Sequence, residues 1–244
     1  MRLATVVMLC TAVGLAAQSA NATRERAMTP YRQGLDFLRG EAWDNAVTAF
    51  QQAIEIDTTF ELAYYGLGRA RMPQRRYAEA VVALTRCRDL FQSQVGRQFA
   101  TRQDAQRYRQ NRLNEIDELI RQYQQGPQSM RSQDAIRQLE QHRREIRDQF
   151  DRGMDITIAN AVPAYVSLAL GSAFFRSEQF ADAEREYKAA IAADPKSGEA
   201  FNNLAVVYLQ TGRAKEAEEA VRAAERAGFK VHPQLKADIK AKAG

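Results

Sequence analysis

One pair of residues in this chain has the types and spacing that could hold a metal ion. His142 and Glu145 are three residues apart, so on a helix both side chains would lie on one face. A structural or catalytic zinc site needs at least three protein ligands. The only other histidine is His232, far away in the sequence, and no cysteine lies near the pair. We therefore predict no metal and no cofactor, and we expect His142 to be solvent-exposed.

The cysteines are the next candidates for chemistry. Cys10 lies in an N-terminal segment that we expect to be removed, which leaves Cys87 alone and without a disulfide partner. A reactive thiol needs an electropositive, partly exposed setting. Cys87 instead occupies a position where the other copies of the repeat described below have alanine, so we predict a small buried residue. The sequence also contains no nucleophile-elbow motif and no phosphate-binding loop, and we predict that the protein is not an enzyme.

Composition indicates a helical protein without a nucleic-acid surface. Hydrophobic residues make up 45% of the 244 residues, and glycine and proline are sparse. The net charge of +5 comes from arginine and lysine spread among many carboxylates rather than from a basic stripe. We therefore expect no nucleic-acid partner.

Residues 165–231 contain two copies of one pattern, offset by 34 residues. Ala183 and Ala217 are 34 apart, and so are Ala190 and Ala224. Around them, each copy places a small residue on a first helix and bulky residues on both helices. These further positions are Leu170, Gly171, Phe174, Tyr187 and Pro195 in the first copy, and Phe201, Leu204, Ala205, Tyr208 and Val221 in the second. Small residues at these places would let two helices approach closely.

This pattern resembles the tetratricopeptide repeat, a helix pair with the same period and the same order of small and aromatic positions. Residues 27–94 contain two more copies, in which Gly34 and Ala46, then Gly68 and Ala80, occupy the small positions. The resemblance implies an all-α helical-repeat solenoid of two plus two repeats. Pro30, Gln33 and Arg71 depart from the pattern, and Pro30 is acceptable at the start of a helix.

Residues 95–162 interrupt the repeats and predict a long antiparallel helical hairpin. Apolar residues recur at alternating spacings of three and four, which is typical of a coiled-coil seam. The seam consists of Arg109, Leu113, Ile116, Ile120 and Tyr123 on one arm and Ile136, Leu139, Arg143, Ile146 and Phe150 on the other. Each arm should have about 25–30 residues, and the remaining Arg, Gln and Glu should face solvent. Two arginines on the seam need partners, so we expect another surface, either the repeats or a partner, to complete it.

The two ends of the chain have recognisable patterns. Residues 1–22 have a positive start, a short apolar run and an Ala20-Asn21-Ala22 cleavage site, which predicts a signal peptide. The apolar run is short of the roughly 20 residues that span a bilayer, so we expect no membrane span after its removal. Residues 163–231 hold the third and fourth repeats, and residues 232–244 should form a capping helix with Leu235 and Ile239 facing inward. The protein should then be periplasmic or secreted.

The resemblance also implies where a partner would bind, because the first helix of each repeat lines a groove in this family. Carried onto this chain, the groove includes Tyr31, Leu35, Tyr65, Arg69, Tyr165, Leu168, Ser172, Asn202, Asn203 and Val206. Some members hold a peptide carboxylate with a clamp of lysine, asparagine and arginine, and here only Asn203 matches a clamp position. An aromatic and apolar groove favours an extended or helical segment of a protein partner.

The functional prediction is therefore a non-enzymatic scaffold for protein–protein interaction. The competing hypothesis is a structural component that forms homo-oligomers through the hairpin, with the repeats only stabilising it. Several groove positions could also pack between helices rather than bind a partner.

Overall fold

A computed structural model describes residues 22–96, 99, 101–126, 130–151 and 162–243. All regular structure in these residues is helical, as the sequence predicts. Residues 1–21, which hold nearly all of the predicted signal peptide, lie outside the described residues.

Eleven helices follow one another through the described part of the chain. They are α1 (22–39), α2 (Trp43–Ile56), α3 (Glu61–Arg71), α4 (Tyr77–Gln94), α5 (Arg102–Gln125), α6 (Met130–Asp151), α7 (Ala164–Arg176), α8 (Phe180–Ala193), α9 (Gly198–Gln210), α10 (Ala214–Arg226) and α11 (Pro233–Ala243). Helices α1–α4 and α7–α10 form four helix pairs, which we number as repeats one to four.

The turns inside the four pairs share one backbone conformation. The residues with positive φ are Glu41, Arg75, Glu178 and Gly212, at +56°, +59°, +60° and +77°. The first two are 34 residues apart, and so are the last two. Left-handed backbone is unusual outside glycine, so its return at the repeat period is independent support for four copies of one unit.

Close helix crossings explain the small residues within each pair. A Cβ built on Gly34 would lie 2.7 Å from the Phe50 ring, and one on Gly171 would lie 2.8 Å from the Tyr187 ring. Real Cβ atoms do not approach so closely, so only glycine fits unless the ring moves. Ala183 and Ala217, on the second helices of repeats three and four, are fully buried. The predicted small positions are confirmed.

The hairpin does not separate the two halves of the array. Helix α4 of repeat two packs directly on α7 of repeat three, as consecutive repeats do. Arg88 on α4 donates from Nη1 to Glu186 Oε1 on α8 at 2.7 Å, so a largely buried ion pair also spans this junction. The 69 residues between α4 and α7 therefore leave and rejoin one continuous stack.

Helices α5 and α6 pack on each other as the predicted hairpin arms. They contain 24 and 22 residues, slightly fewer than predicted. The seam residues Ile116 and Leu139 are almost fully buried. Arg143 on α6 donates from Nη1 to Asp117 Oδ1 on α5 at 2.8 Å. At the other end of the chain, α11 covers the last repeat and buries Ile239 as predicted.

Candidate functional site

The hairpin lies against the first helices of the repeats, where the groove was predicted. Helix α5 packs beside α1. Arg24 Nη1 lies 2.8 Å from Glu115 Oε1, and Arg32 Nε lies 3.6 Å from Glu118 Oε2. Helix α6 reaches α7 and the start of α9. The hairpin of the same chain thus covers much of the predicted groove.

The ten predicted groove residues divide into two groups because of this placement. Four of them are at most 4% exposed beneath the hairpin: Tyr31, Leu35, Tyr65 and Tyr165. The other six keep part of their surface open to solvent: Arg69, Leu168, Ser172, Asn202, Asn203 and Val206. The open group lies mainly on α7 and α9.

Five charged residues form a buried cluster that fixes α5 in place. The ion cluster consists of Arg24, Asp57, Glu61, Arg112 and Glu115. Arg112 donates from Nη2 to Glu61 Oε1 at 2.7 Å and from Nη1 to Glu115 Oε2 at 2.8 Å. Its side chain is only 5% exposed. Arg24 donates to Asp57, and it lies within 3.2 Å of Glu61 Oε2. Three helices and the turn after α2 are therefore joined by charge-assisted hydrogen bonds.

The ion cluster holds its groups in their charged forms. Burial alone would raise the pKa of Glu61, but Arg112 and Arg24 outweigh burial and lower it. The same opposition lowers the pKa of Asp57, through Arg24 and hydrogen bonds from Thr59. Burial alone would lower the pKa of Arg112, and Glu61 raises it. Removing either arginine would therefore leave three buried carboxylates with a single guanidinium partner.

Helix α6 makes fewer polar contacts with the repeats. Arg137 Nη2 lies 2.9 Å from Asp194 Oδ2, on the turn between α8 and α9. Gln138 donates from Nε2 to Ser197 Oγ at 3.0 Å. The ring of His142 lies edge-on to Tyr165 of α7, with 6.2 Å between the centroids.

A cavity of about 510 Å³ remains between the hairpin and repeats two to four. Its hairpin side includes Tyr123, Ala135 and Gln138. Seven of the predicted groove residues line it: Tyr65, Arg69, Tyr165, Leu168, Ser172, Asn203 and Val206. Its lining combines aromatic, aliphatic and amide side chains with three charged residues, Arg69, Arg176 and Glu199, which suits the mixed side chains of a protein segment.

Arg69 is one of two arginines that line this cavity, the other being Arg176. It donates from Nη1 to Gln122 Oε1 of α5 at 2.9 Å. Its guanidinium lies 4.6 Å from the Tyr123 ring centroid and 5.7 Å from that of Tyr65. Burial alone would lower the pKa of Arg69, and the neighbouring tyrosines raise it. Arg69 therefore links the repeats to the hairpin in this structure.

Comparison with protein families identifies the helix pairs. Residues 31–86 and 168–228 match the family model of the tetratricopeptide repeat. Both segments are tetratricopeptide repeats. The match leaves out the hairpin between them, as expected for an insertion into a tetratricopeptide-repeat array. None of the curated proteins matches the chain.

Several solved structures match the chain at low sequence identity and with TM-scores below 0.5. PilW, a widely conserved type IV pilus biogenesis factor, is 15% identical, with 89% of this chain and 86% of PilW covered and a TM-score of 0.41. YrrB, a tetratricopeptide-repeat protein with an unusual peptide-binding site, is 14% identical, with 89% and 92% covered and a TM-score of 0.30. The TPR2AB domain of yeast Sti1 in its pHSP90 complex is 13% identical, with 90% and 99% covered and a TM-score of 0.31. Similarities this weak do not identify a binding partner, so the partner has to be inferred from the geometry of this chain.

Two expectations about the hairpin surface are wrong. His142 is 9% exposed rather than solvated, because α6 turns this residue toward Tyr165. Arg112 and Glu115 are 4% and 1% exposed rather than part of a solvated face. The cause is the same for all three, since the tetratricopeptide repeats cover the side of the hairpin that holds them. Cys87 is fully buried as predicted, and burial raises the pKa of its thiol.

The ion cluster is the functional feature that sequence reasoning missed. The sequence contained a weak signal for it. Arg112 directly precedes the seam residue Leu113, and Glu115 directly precedes the seam residue Ile116, so both charges lie at the edge of the buried stripe. Arg143 was expected to need a carboxylate, and Asp117 of the opposite arm provides it. Arg109 is part-buried and has contacts of its own.

Among the described residues, no group of three metal-ligating side chains comes together. Within the same part of the chain, no helix is long and apolar enough to cross a membrane.

Proposed function

We propose that this protein is a non-enzymatic scaffold that binds a segment of a protein partner between the hairpin and repeats two to four. One observation carries the proposal: the cavity of about 510 Å³ joins both structural parts and contains seven of the ten predicted groove residues. Tetratricopeptide repeats supply a rigid wall, and α5 and α6 supply the facing wall. A partner segment would contact both.

The other half of the predicted groove is a poor site for an external partner. Tyr31 and Leu35 are buried and lie outside the cavity, and Glu115 and Glu118 of α5 are close to Tyr31. Reaching them would require α5 to leave, and the ion cluster would then lose the pairing between Arg112 and Glu61. Breaking buried pairs of this kind is strongly unfavourable. The ion cluster therefore holds α5 on the repeats and keeps this half of the groove closed.

A photocrosslinking experiment tests the proposed surface with a matched pair of valines. Val206 lines the cavity, whereas Val82 on α4 is 71% exposed and does not line it. Each is replaced in turn by a photoreactive phenylalanine analogue, in cells that express the chain at native level. We expect a defined adduct from position 206 and none of the same mass from position 82. Equal adducts from both positions would contradict the assignment of the cavity.

We further propose that the scaffold works outside the cytoplasm, in the envelope or the medium. The support is the signal-peptide pattern of residues 1–22. N-terminal sequencing of the protein from a fractionated culture should begin at Thr23 or within a few residues. A cytoplasmic protein that keeps Met1 would overturn the proposed location but not the binding surface.

A further inference from the structure

The turns that end repeats one and three present the same pair of acceptors. Asp57 and Asp194 are each the residue after the second helix of their repeat, and both are buried. Each Oδ1 accepts from the backbone N–H two residues later, of Thr59 at 2.9 Å and of Lys196 at 3.1 Å. Each turn thus has two remaining acceptors, the aspartate Oδ2 and the carbonyl oxygen two residues later. We call this pair of acceptors an arginine socket.

An arginine fills both arginine sockets, through Nε and Nη2 at the first and through Nη2 alone at the second. At the first, Arg24 donates to Asp57 Oδ2 and to the Thr59 carbonyl, the latter at 2.9 Å. At the second, Arg137 Nη2 lies 2.9 Å from Asp194 Oδ2 and 3.3 Å from the Lys196 carbonyl. The guanidinium group, with its planar array of donors, suits two acceptors at fixed positions better than an ammonium does. The recurrence shows that this turn recognises an arginine side chain carried by another helix.

The two arginines are held with different strength. Arg24 is also bound by Glu61 and Glu115, and its side chain is 16% exposed. Arg137 is 35% exposed, and its other carboxylate partner is Asp134 of its own helix. The first socket is therefore sealed inside the ion cluster, and the second lies at an accessible edge.

Helix α6 fits its site less well than α5 fits the first half. Three α6 side chains have a buried polar atom without a hydrogen-bond partner: Asp134 Oδ2, Gln138 Oε1 and Arg143 Nε. All side chains of α5 lie in the described residues, and none of its atoms is in this state. Native interiors satisfy nearly all such atoms and leave few voids. The cavity beside Gln138 and Ala135 shows that α6 also leaves its side of the groove incompletely filled.

We propose that the Asp194 socket and the adjoining face of α7 recognise an arginine-bearing amphipathic helix of the partner, with α6 as a displaceable internal stand-in. This inference rests on the proposed function and alters one part of it, because the partner helix takes the place of α6 and leaves α5 and the repeats as the two walls. The contacts of α6 define the required pattern. Counted from Arg137, Gln138 and His142 follow at positions +1 and +5 and contact Ser197 and Tyr165 of the repeats. The partner helix presents an arginine to Asp194 and side chains that make those contacts at the same offsets. The buried seam residues Leu139 and Ile146, at +2 and +9, set its apolar positions.

Hydrogen exchange of the full chain tests whether α6 is displaceable, without any partner. We expect α6 amides to exchange about tenfold faster than α5 amides, since the arms open with different free energies. Arg137→Met should raise exchange in α6 and leave α5 unchanged. Equal exchange of both arms in the wild type and in Arg137→Met would show that the hairpin opens as one unit, which would overturn the proposal.

A peptide experiment tests recognition of the arginine directly. The probe is a fluorescent peptide of residues 130–151, with an Arg137→Met peptide as its control. The full-length Arg137→Met protein should bind the wild-type peptide about tenfold more tightly than the wild-type protein does, because its socket is empty. Adding Asp194→Asn should remove this gain, because asparagine keeps the turn but loses the charge. Binding that ignores both Arg137 of the peptide and Asp194 of the protein would reject the socket as a recognition site.

Failure here is distinguishable from failure of the proposed function. If Val206 crosslinks a partner while α6 exchanges together with α5, the cavity binds its partner without displacement of α6. That result would keep the scaffold and discard the stand-in.

Discussion

The two arms of the hairpin occupy one continuous surface but are held by different interactions. Helix α5 contributes Arg112 and Glu115 to a cluster in which every charge is paired. Helix α6 contributes Arg137, which is partly exposed, and Gln138, whose amide is only half satisfied. The difference indicates that one arm is a structural part of the array and the other is a contact that can be exchanged.

The comparison also shows what a buried ion cluster contributes. Replacing such a cluster by apolar residues is often neutral or stabilising, so its presence is weak support for stability. Its geometry is nevertheless specific, because Arg112 reaches Glu61 only when α5 lies in one position along α3. We infer that the cluster sets the position of α5 on the repeats.

The largest expected effect comes from breaking the α5 contact. Arg112→Met removes one of the two guanidinium groups and leaves three buried carboxylates, Asp57, Glu61 and Glu115, with Arg24 as their remaining partner in the ion cluster. We expect a loss of about 3–5 kcal/mol in the free energy of unfolding, the usual result of removing one member of a buried pair. Urea unfolding followed by circular dichroism measures it.

Arg121→Met is the control for that change. Arg121 lies on the same helix and pairs with Glu118 at 3.0 Å, but its side chain is 58% exposed. We expect a change below about 0.5 kcal/mol, because exposed pairs contribute little. Similar effects of the two substitutions would mean that the ion cluster does not hold α5.

A second substitution tests the repeats independently of the hairpin. Gly171→Ala places a Cβ 2.8 Å from the ring of Tyr187, at the crossing of α7 and α8. Overpacking of this kind typically costs about 1–3 kcal/mol. In Gly40→Ala the nearest atom is the Asp36 carbonyl oxygen at 3.6 Å, which is an ordinary contact. Thermal unfolding of both variants should show a large shift for the first and a small one for the second.

The repeats were predictable because their signal is local and periodic. The distance of 34 residues from Ala183 to Ala217 is set by one helix pair, and each pair buries the same small positions. The hairpin arms were predictable for the same reason, since residues such as Ile116 and Leu139 mark one apolar stripe. An apolar stripe shows that a helix has a buried face.

The place where the hairpin lies was not predictable from those patterns. Arg112 lies 51 residues from Glu61, and Arg24 lies 91 residues from Glu115. Nothing local distinguishes Arg112 and Glu115 from a solvated pair one turn apart. Four of the ten groove residues are covered by the hairpin for this reason, and a fold-level analogy could not show an occupant specific to this chain.

Lowering the pH provides a smaller test of the difference between α5 and α6, because α6 contains a buried histidine, His142. Burial lowers the pKa of His142 from 6.5, and Arg112 of α5 lowers it further, while Glu145 on α6 opposes the change. The residue packed against it from α7 is Tyr165. The unfolded state therefore binds a proton more readily, so this contribution to stability is complete above about pH 6.5 and falls as the pH drops below it.

We expect α6 to become less protected from hydrogen exchange between about pH 7.5 and 5.5, by about 1 kcal/mol after correction for intrinsic rates. Helix α5 should change less, because Asp57 and Glu61 of the ion cluster have lowered pKa values and stay charged in this range. His142→Gln should remove the pH dependence of α6. Equal loss of protection in both arms would contradict an α6-specific effect.

The smallest expected effect compares the stability of the two halves of the array through one substitution in each. Arg75 and Glu178 have φ of +59° and +60° in equivalent exposed turns, one in each half. A left-handed backbone costs a non-glycine residue about 1–2 kcal/mol, and glycine loses about 0.5–1 kcal/mol through its greater unfolded freedom. Arg75→Gly and Glu178→Gly should each raise the free energy of unfolding by roughly 0.5 kcal/mol.

Neither turn contacts the hairpin through any ion pair of the described residues, so chemical denaturation should give equal gains. Unequal gains would show that the two halves unfold separately, and the effects of Arg112 and His142 would then have to be assigned to one half each.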